Sequence, residues 1–230
     1  SIVGEALFGF MCARSTARLT PSLLALYSPR LKVFVSNGSL VSGNLTLEGV
    51  AEDPNGDDMN LTVSLGNFSQ TLAVFPGEFS LSIPTESVGD GSNRLTVNLT
   101  DGALFQSLSY ILVVDNRPPV ISVDGVVDGA AYPHPVTLNI SVTDTVDPSP
   151  NVTQTLDGAE IPGEVSSEGR HSLVITATDE AGWTSRLVLN FTVDMSPPAI
   201  QLVSPVRNGT FHQPPLRVIW IAADEVTSVK

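Results

Sequence analysis

Cysteine, lysine and histidine are scarce in this chain, and long apolar runs are missing. The single cysteine, Cys12, among 230 residues excludes an internal disulfide framework and any Cys-based zinc or iron–sulfur site. It reads as a small apolar residue of the N-terminal segment. Lysine occurs only at Lys32 and Lys230, which leaves few donors for Lys–Asn isopeptide cross-links. His134, His171 and His212 stand isolated, and no Gly-x-Ser-x-Gly, phosphate-binding glycine loop or His-x-x-x-His is present, so no enzyme is expected. Positive charge is thin: 11 Lys+Arg face 24 Asp+Glu, a net charge of -13. A nucleic-acid partner, whose phosphates require a basic surplus, is therefore not expected. No run approaches the length of apolar chain needed to cross a bilayer as a helix, so this segment is not expected to span a membrane. At 42% hydrophobic residues it is nevertheless too apolar for disorder. The start, Ser1 to Met11, has no basic residue and is interrupted by Glu5, which makes a poor signal peptide. Either a signal has been removed or the chain is a segment of something larger.

What is present is a repeat. Asn37-Gly38, Asp128-Gly129 and Asn208-Gly209 are turn-forming pairs, and sixteen residues after the first member of each stands an Asp: Asp53, Asp144 and Asp224. Alternating runs precede each Asp: Leu45 to Val50, Val136 to Val142, and Leu216 to Ile221. Period-two alternation marks a strand with one buried face. A second element recurs at Thr100-Asp101-Gly102 and Thr178-Asp179-Glu180, each expected to open a hairpin into a β-rich run. Those runs end alike, in Val114-Asp115-Asn116-Arg117-Pro118-Pro119 and Val193-Asp194-Met195-Ser196-Pro197-Pro198. A proline pair cannot donate ladder hydrogen bonds and stiffens the chain, so it is a natural joint. About seven strands fall in the first unit, near 31–36, 43–50, 60–66, 70–75, 78–83, 93–100 and 104–114, and the second runs similarly from Val120 to Asp194. Only Leu19 to Tyr27 keeps a helical period.

The expected fold class is all-β: tandem antiparallel β-sandwiches joined by Pro-Pro linkers. The expected organisation is an N-terminal segment over 1–29, domain 1 over 30–117, domain 2 over 118–196 and the start of a third domain over 197–230. Two strands cannot bury a sandwich core. The third domain is therefore either truncated here or completed by a strand from a neighbouring molecule.

The stretch Gly38 to Asp57, closing with Val-Asp-Asn-Arg-Pro-Pro at 114–119, resembles the Ig-like repeats of bacterial and archaeal surface proteins. Ala-Thr-Asp-Glu-Ala-Gly-Trp at 177–183 is similar to their F-strand hairpin, with Trp183 departing from the usual residue. The resemblance covers about Arg30 to Lys230. It implies Ig-like sandwiches, and it leaves spacer, adhesin, filament and surface-layer roles open.

Nine of the twelve asparagines lie in Asn-x-Ser/Thr: Asn37, Asn44, Asn60, Asn67, Asn98, Asn139, Asn151, Asn190 and Asn208. Chance would give about two. In seven the middle residue is apolar (Leu45, Leu61, Phe68, Leu99, Ile140, Val152 and Phe191), so on a strand it points inward while the Asn faces out. Asn is depleted in strands, which asks for a reason beyond alternation. N-linked glycans on several of these sites are the expectation, and with them export to the cell surface. The sequon density favours an archaeal over a bacterial source.

The resemblance also implies that the BC and FG loops lie at the end where the chain enters each sandwich. That gathers Asp144, Asp147, Asp179 and Glu180 near Asp115 and Asn116. In the first unit it gathers Asp53, Asn55, Asp57, Asp58 and Asp101, and in the third Asp194, Asp224 and Glu225. Clustered carboxylate and amide oxygens suit Ca2+. Asp53-Pro-Asn55-Gly-Asp57-Asp58 only partly follows a calcium loop and is no EF-hand. The competing reading is that Asp and Asn merely form turns there. Trp183 and Trp220 read as core or interface residues. The function expected is that of a glycosylated extracellular protein building a surface layer or filament through contacts between its own copies. The alternatives are an adhesin and a spacer within a larger secreted enzyme.

Overall fold

The computed structural model describes residues 27–204, 217–224 and 226. The first 26 residues (with Cys12 and most of the helical-period stretch), Asn208, His212 and Glu225 lie outside them. Two compact units result. One takes the chain up to Ser39, Asn44–Val88 and Asn93–Leu112; the other takes Leu40–Gly43, Gly89–Ser92 and Val113 onward.

In the first unit one sheet has β1 (Arg30–Val33), β3 (Asn44–Glu52) and β6 (Gly77–Pro84), with β3 central. The other has β8 (Phe105–Val114), β7 (Gly91–Thr100), β4 (Met59–Leu65) and β5 (Phe68–Val74) in that spatial order. The pairs β1–β3, β3–β6, β4–β5 and β4–β7 run antiparallel. Alternation sets which face is buried. Met59, Leu61, Val63 and Leu65 on β4, and Leu95, Val97 and Leu99 on β7, are essentially solvent-free. On the first sheet, Leu47 of β3 and Leu81 and Ile83 of β6 are buried too. Each such side chain contributes about 1.5–3 kcal/mol by leaving water. Gly49, at the middle of β3, has no room for a side chain: a Cβ there would overlap the Lys32 carbonyl and lie 2.5 and 2.7 Å from Cζ and Cε1 of Phe79. Glycine lets the Phe79 ring cover the central strand.

The second unit repeats the plan with fewer strands. β9 (Val120–Asp124) pairs with β11 (Asn139–Thr143), and β14 (Thr184–Val193), β13 (Gly169–Thr178) and β12 (Asn151–Leu156) form the other antiparallel layer. Its core is Val126, Val136, Leu156, Val165, Leu173, Ile175, Phe191 and Val193. The equivalent of β6 shrinks to a single bridge between Val136 and Val165. The reason is local: Asp157-Gly158-Ala159-Glu160-Ile161-Pro162-Gly163 carries no alternation and a proline without an N–H. Here the expectation of seven similar strands departs from the structure. In the remaining described chain β15 (Ala199–Ser204) pairs antiparallel with β16 (Ile219–Ala223).

Two short strands are absent from the sequence reading. β2 (Leu40–Val41) runs parallel to the end of β8, and β10 (Ala131–Tyr132) runs parallel to β14. The turn pairs before them serve as strand switches. The Asn37 side chain accepts the Ile111 N–H at 2.8 Å, and Asp128 accepts the Asn190 N–H at 2.8 Å, while Gly38 and Gly129 take φ of 81 and 75°. A two-residue strand carries too little alternation to be seen.

Candidate metal centre

In both units the strand that pairs with the entering one (β3, β11) and the long strand before the last hairpin (β7, β13), the B and F strands of an Ig-like sandwich, are followed by an aspartate that folds the next loop onto itself. Asp144, after β11, accepts the N–H groups of Val146 and Asp147 at 2.8 and 2.9 Å through Oδ1. Asp179, after β13, accepts the Trp183 N–H through Oδ1 at 2.8 Å, with Gly182 at φ 91° closing the turn. This is the loop chemistry expected of Asp, and it occupies one oxygen of each carboxylate.

Asp115 enters from the end of β8. Its N–H donates to the Val41 carbonyl at 3.0 Å, and its own carbonyl accepts the Trp183 indole Nε1–H at 3.0 Å. The next residues are held as firmly. Asn116 donates its N–H to Asp90 Oδ1 at 3.0 Å and accepts the Gly43 N–H at 2.8 Å through its side-chain oxygen. Arg117 Nε lies 3.1 Å from Asp90 Oδ2. All of these residues belong to the second unit. With its backbone fixed on both sides, Asp115 directs its carboxylate at Asp144 and Asp179, and one oxygen from each of the three lies within 4.8 Å of the others.

Electrostatically this is an unfavourable place for three negative charges. Asp115 is 1% exposed and Asp179 7% exposed, and the Oδ2 atom of each is buried without a hydrogen-bond donor. Burial pushes the Asp115 carboxyl above its ordinary value. The Arg117 N–H pulls it back, while the charges of Asp144, Asp179 and Asp90 push it up further. An all-carboxylate set without histidine or cysteine suits a hard divalent cation and not zinc. It contains no nucleophile–base pair.

The other sequence-marked residues are distributed differently. Asp147 is consumed by the loops, accepting Ser149 N–H through Oδ1 and Glu180 N–H through Oδ2 at 2.8 and 3.0 Å, so it ties the BC loop to the FG loop. Glu180 takes part through its backbone, and the Asn116 side chain serves Gly43. In the first unit Asp53 Oδ1 takes the Asn55 and Asp57 N–H groups, and Asp101 Oδ1 takes those of Ala103 and Leu104. Both leave a buried Oδ2 without a donor, but among the described residues no third ligand joins them. The sequence supplies the reason. Asp115 precedes by five residues Val120, which pairs with Thr143 just before Asp144. Arg30 pairs in the same way with Glu52 just before Asp53, and five residues before Arg30 the sequence has Ala25, which carries no carboxylate. The same count back from Ala199, which pairs with Ala223, gives Asp194, with Asp224 following its strand.

Sequence reasoning missed Asp90 and the role of Trp183. The signal existed: Asp90-Gly91 and Glu168-Gly169 are both acidic–glycine pairs. Glu168 accepts the Met195 N–H at 3.1 Å as Asp90 accepts that of Asn116. Neither tryptophan is a core residue, with Trp183 at 37% and Trp220 at 58% exposure. The sequons point outward as alternation requires: Asn37, Asn44, Asn60, Asn67, Asn139, Asn151 and Asn190 are exposed and Asn98 is half-buried.

Residues 77–166 match the family model of the bacterial Ig-like domain (group 3). No curated protein matches the chain. Among solved structures, the endo-β-1,4-mannanase of Thermotoga petrophila aligns at 12% identity over 40% of this chain and 21% of its own, with a TM-score of 0.34. The fibronectin(III)-like modules of Clostridium thermocellum CbhA align at 12% identity over 80% of this chain and 100% of theirs, with a TM-score of 0.33. The eight N-terminal Ig domains of the Down syndrome cell adhesion molecule give 19% identity, 72% and 24% coverage and a TM-score of 0.44. The chain thus spans about a fifth of the mannanase it matches. These likenesses are too distant to carry function.

Proposed function

From a chain built of Ig-like β-sandwich repeats, a domain type of extracellular surface proteins, adhesins and enzyme-borne modules, we propose a structural role at the cell surface. The repeats form an N-glycosylated module that builds a surface layer or filament through contacts between copies. The observation carrying this reading is the orientation of the sequons: seven asparagines stand exposed, while the residues after Asn60, Asn98 and Asn190 (Leu61, Leu99 and Phe191) sit in the cores. Glycans attached there would coat sheet faces without disturbing packing, and a coat of that kind shields strand edges from unwanted pairing. Large apolar side chains exposed between sequons, Phe34, Phe75 and Phe105, offer contacts for a second copy. The residues have the mechanical task of keeping each sandwich rigid and its entering segment pinned, as Asp90, Asn116 and Trp183 do in the second unit.

The test uses protein purified from its natural source. Glycopeptide mass spectrometry should find hexose-containing additions on several of the nine asparagines, and electron microscopy of the purified protein should show ordered sheets or fibres. Unmodified asparagines throughout would remove the glycoprotein reading. A glycosylated monomer that binds immobilised glycans would favour adhesion over assembly.

A further inference from the structure

We propose that Asp115, Asp144 and Asp179 form a Ca2+ site that fixes the segment Asp115–Arg117 to the loops following β11 and β13. The inference is independent of the glycoprotein reading.

Turn chemistry accounts for only half of these carboxylates. The Oδ1 atoms of Asp144 and Asp179 take loop N–H groups, and Oδ1 of Asp115 lies 3.4 Å from the Arg117 N–H. It does not account for Oδ2 of Asp115 and Asp179, which are buried and have no donor. Leaving the buried carboxylate oxygens of Asp115 and Asp179 unpaired is costly, and the third carboxylate, Asp144, adds repulsion. A bound divalent cation relieves both at once.

The geometry suits calcium. With Ca–O distances of about 2.3–2.6 Å, two ligands of one ion stand up to about 4.6–5.2 Å apart, and Ca2+ accepts irregular arrangements where Mg2+ demands octahedral order. The three oxygens lie within 4.8 Å of one another, so one Ca2+ can be reached from all three without moving the backbone. That matters because the backbone is pinned: Asp115 by Val41 and the Trp183 indole, Asn116 by Asp90 and Gly43. The remaining calcium ligands would be water, reaching the ion past Asp144, which is half-buried. The chain contains its own control. Asp53 and Asp101 repeat two of the three ligands in the first unit, but the residue at the sequence position matching the third is Ala25.

The experiment uses the full chain with Ca2+, Mg2+ and Tb3+ as probes. Extracellular Ca2+ modules bind at about 0.1–1 mM, so about 10 mM Ca2+ should raise the melting temperature of the second unit by about 5–15 °C over the EDTA-treated protein. Asp179→Asn keeps an acceptor for the Trp183 N–H. It should fold, melt no lower than wild type in EDTA, and lose the Ca2+-dependent rise, whereas Asp101→Asn should keep it. Excitation of tryptophan should sensitise Tb3+ emission from the Trp220→Phe protein, because Trp183 touches Asp115, and Ca2+ should quench that emission by competition. The proposal is overturned by a melting temperature indifferent to Ca2+, by an equal rise with Mg2+, by equal effects of Asp179→Asn and Asp101→Asn, or by Tb3+ emission that disappears in Trp220→Phe.

Discussion

Replacing Asp90 by alanine tests how the segment leaving β8 is held. The Asp90 side chain is 6% exposed, and its two oxygens serve different groups: Oδ1 takes the Asn116 N–H at 3.0 Å and Oδ2 lies 3.1 Å from Arg117 Nε. The second interaction is weak because Arg117 is 77% exposed, so water and salt screen it to below about 1 kcal/mol. The first is a buried charge-assisted bond, worth about 1.5–3 kcal/mol, and truncation removes the acceptor from a fixed N–H. Asp90→Ala should therefore cost about 2 kcal/mol, or about 8–15 °C in melting temperature for a unit of this size. Asp90→Asn keeps the Oδ1 acceptor and should recover more than half of the loss; Arg117→Ala should cost under about 1 kcal/mol. Trp183 fluorescence is the assay, since its indole is bonded to the Asp115 carbonyl and loosening of the segment exposes it. Equal melting of Asp90→Ala and wild type, or an Arg117→Ala loss as large as that of Asp90→Ala, would refute the reasoning.

Gly49→Ala places a methyl group against the Lys32 carbonyl and the Phe79 ring, and overpacking should destabilise the first unit by about 1–3 kcal/mol. Hydrogen exchange of peptides covering β3 and β6 would register this, and Phe79→Ala in the same chain should relieve only the ring's share. The pH dependence of the second unit should follow Asp157. Burial pushes that carboxyl up, but the hydrogen bond from His171, the Ser172 N–H and the His171 charge together hold it below its ordinary value. A depressed carboxyl contributes stability above its unfolded value, about 3.9, and loses it as the pH falls through the folded value. The urea midpoint should thus drop below about pH 4, and Asp157→Asn, which tolerates the φ of 52°, should flatten that drop. An unchanged pH profile in Asp157→Asn would contradict the assignment. Glu168→Ala should loosen Met195 and Ser196 by about 1–2 kcal/mol, seen as faster hydrogen exchange there.

Much of the fold was legible because it rests on short-range rules. The alternation of Met59-Leu61-Val63-Leu65 and Leu95-Val97-Leu99 requires strands with one buried face whatever surrounds them. The recurring Asp after each B strand was legible as turn chemistry, because an Asp side chain reaches its own loop's N–H groups two to four residues on. β2, β10 and the reduced β6 equivalent were not, since each owes its state to a partner strand far along the chain. The bond made by Trp183 was illegible for the same reason: what its indole touches is Asp115, sixty-eight residues earlier.

By itself the sequence determined the all-β sandwich repeat, the outward sequons and the set of acidic residues eligible for a cation. Those follow from residue type, period and spacing, which act within one strand or one turn. Which carboxylates meet was decided only by tertiary structure. Asp115, Asp144 and Asp179 converge because strand register and a pinned backbone bring three separate strand ends together. Asp147, with the same charge and a neighbouring place in the sequence, spends both oxygens on loop N–H groups. Charge is a property of the residue, but an unpaired buried oxygen is a property of everything packed around it.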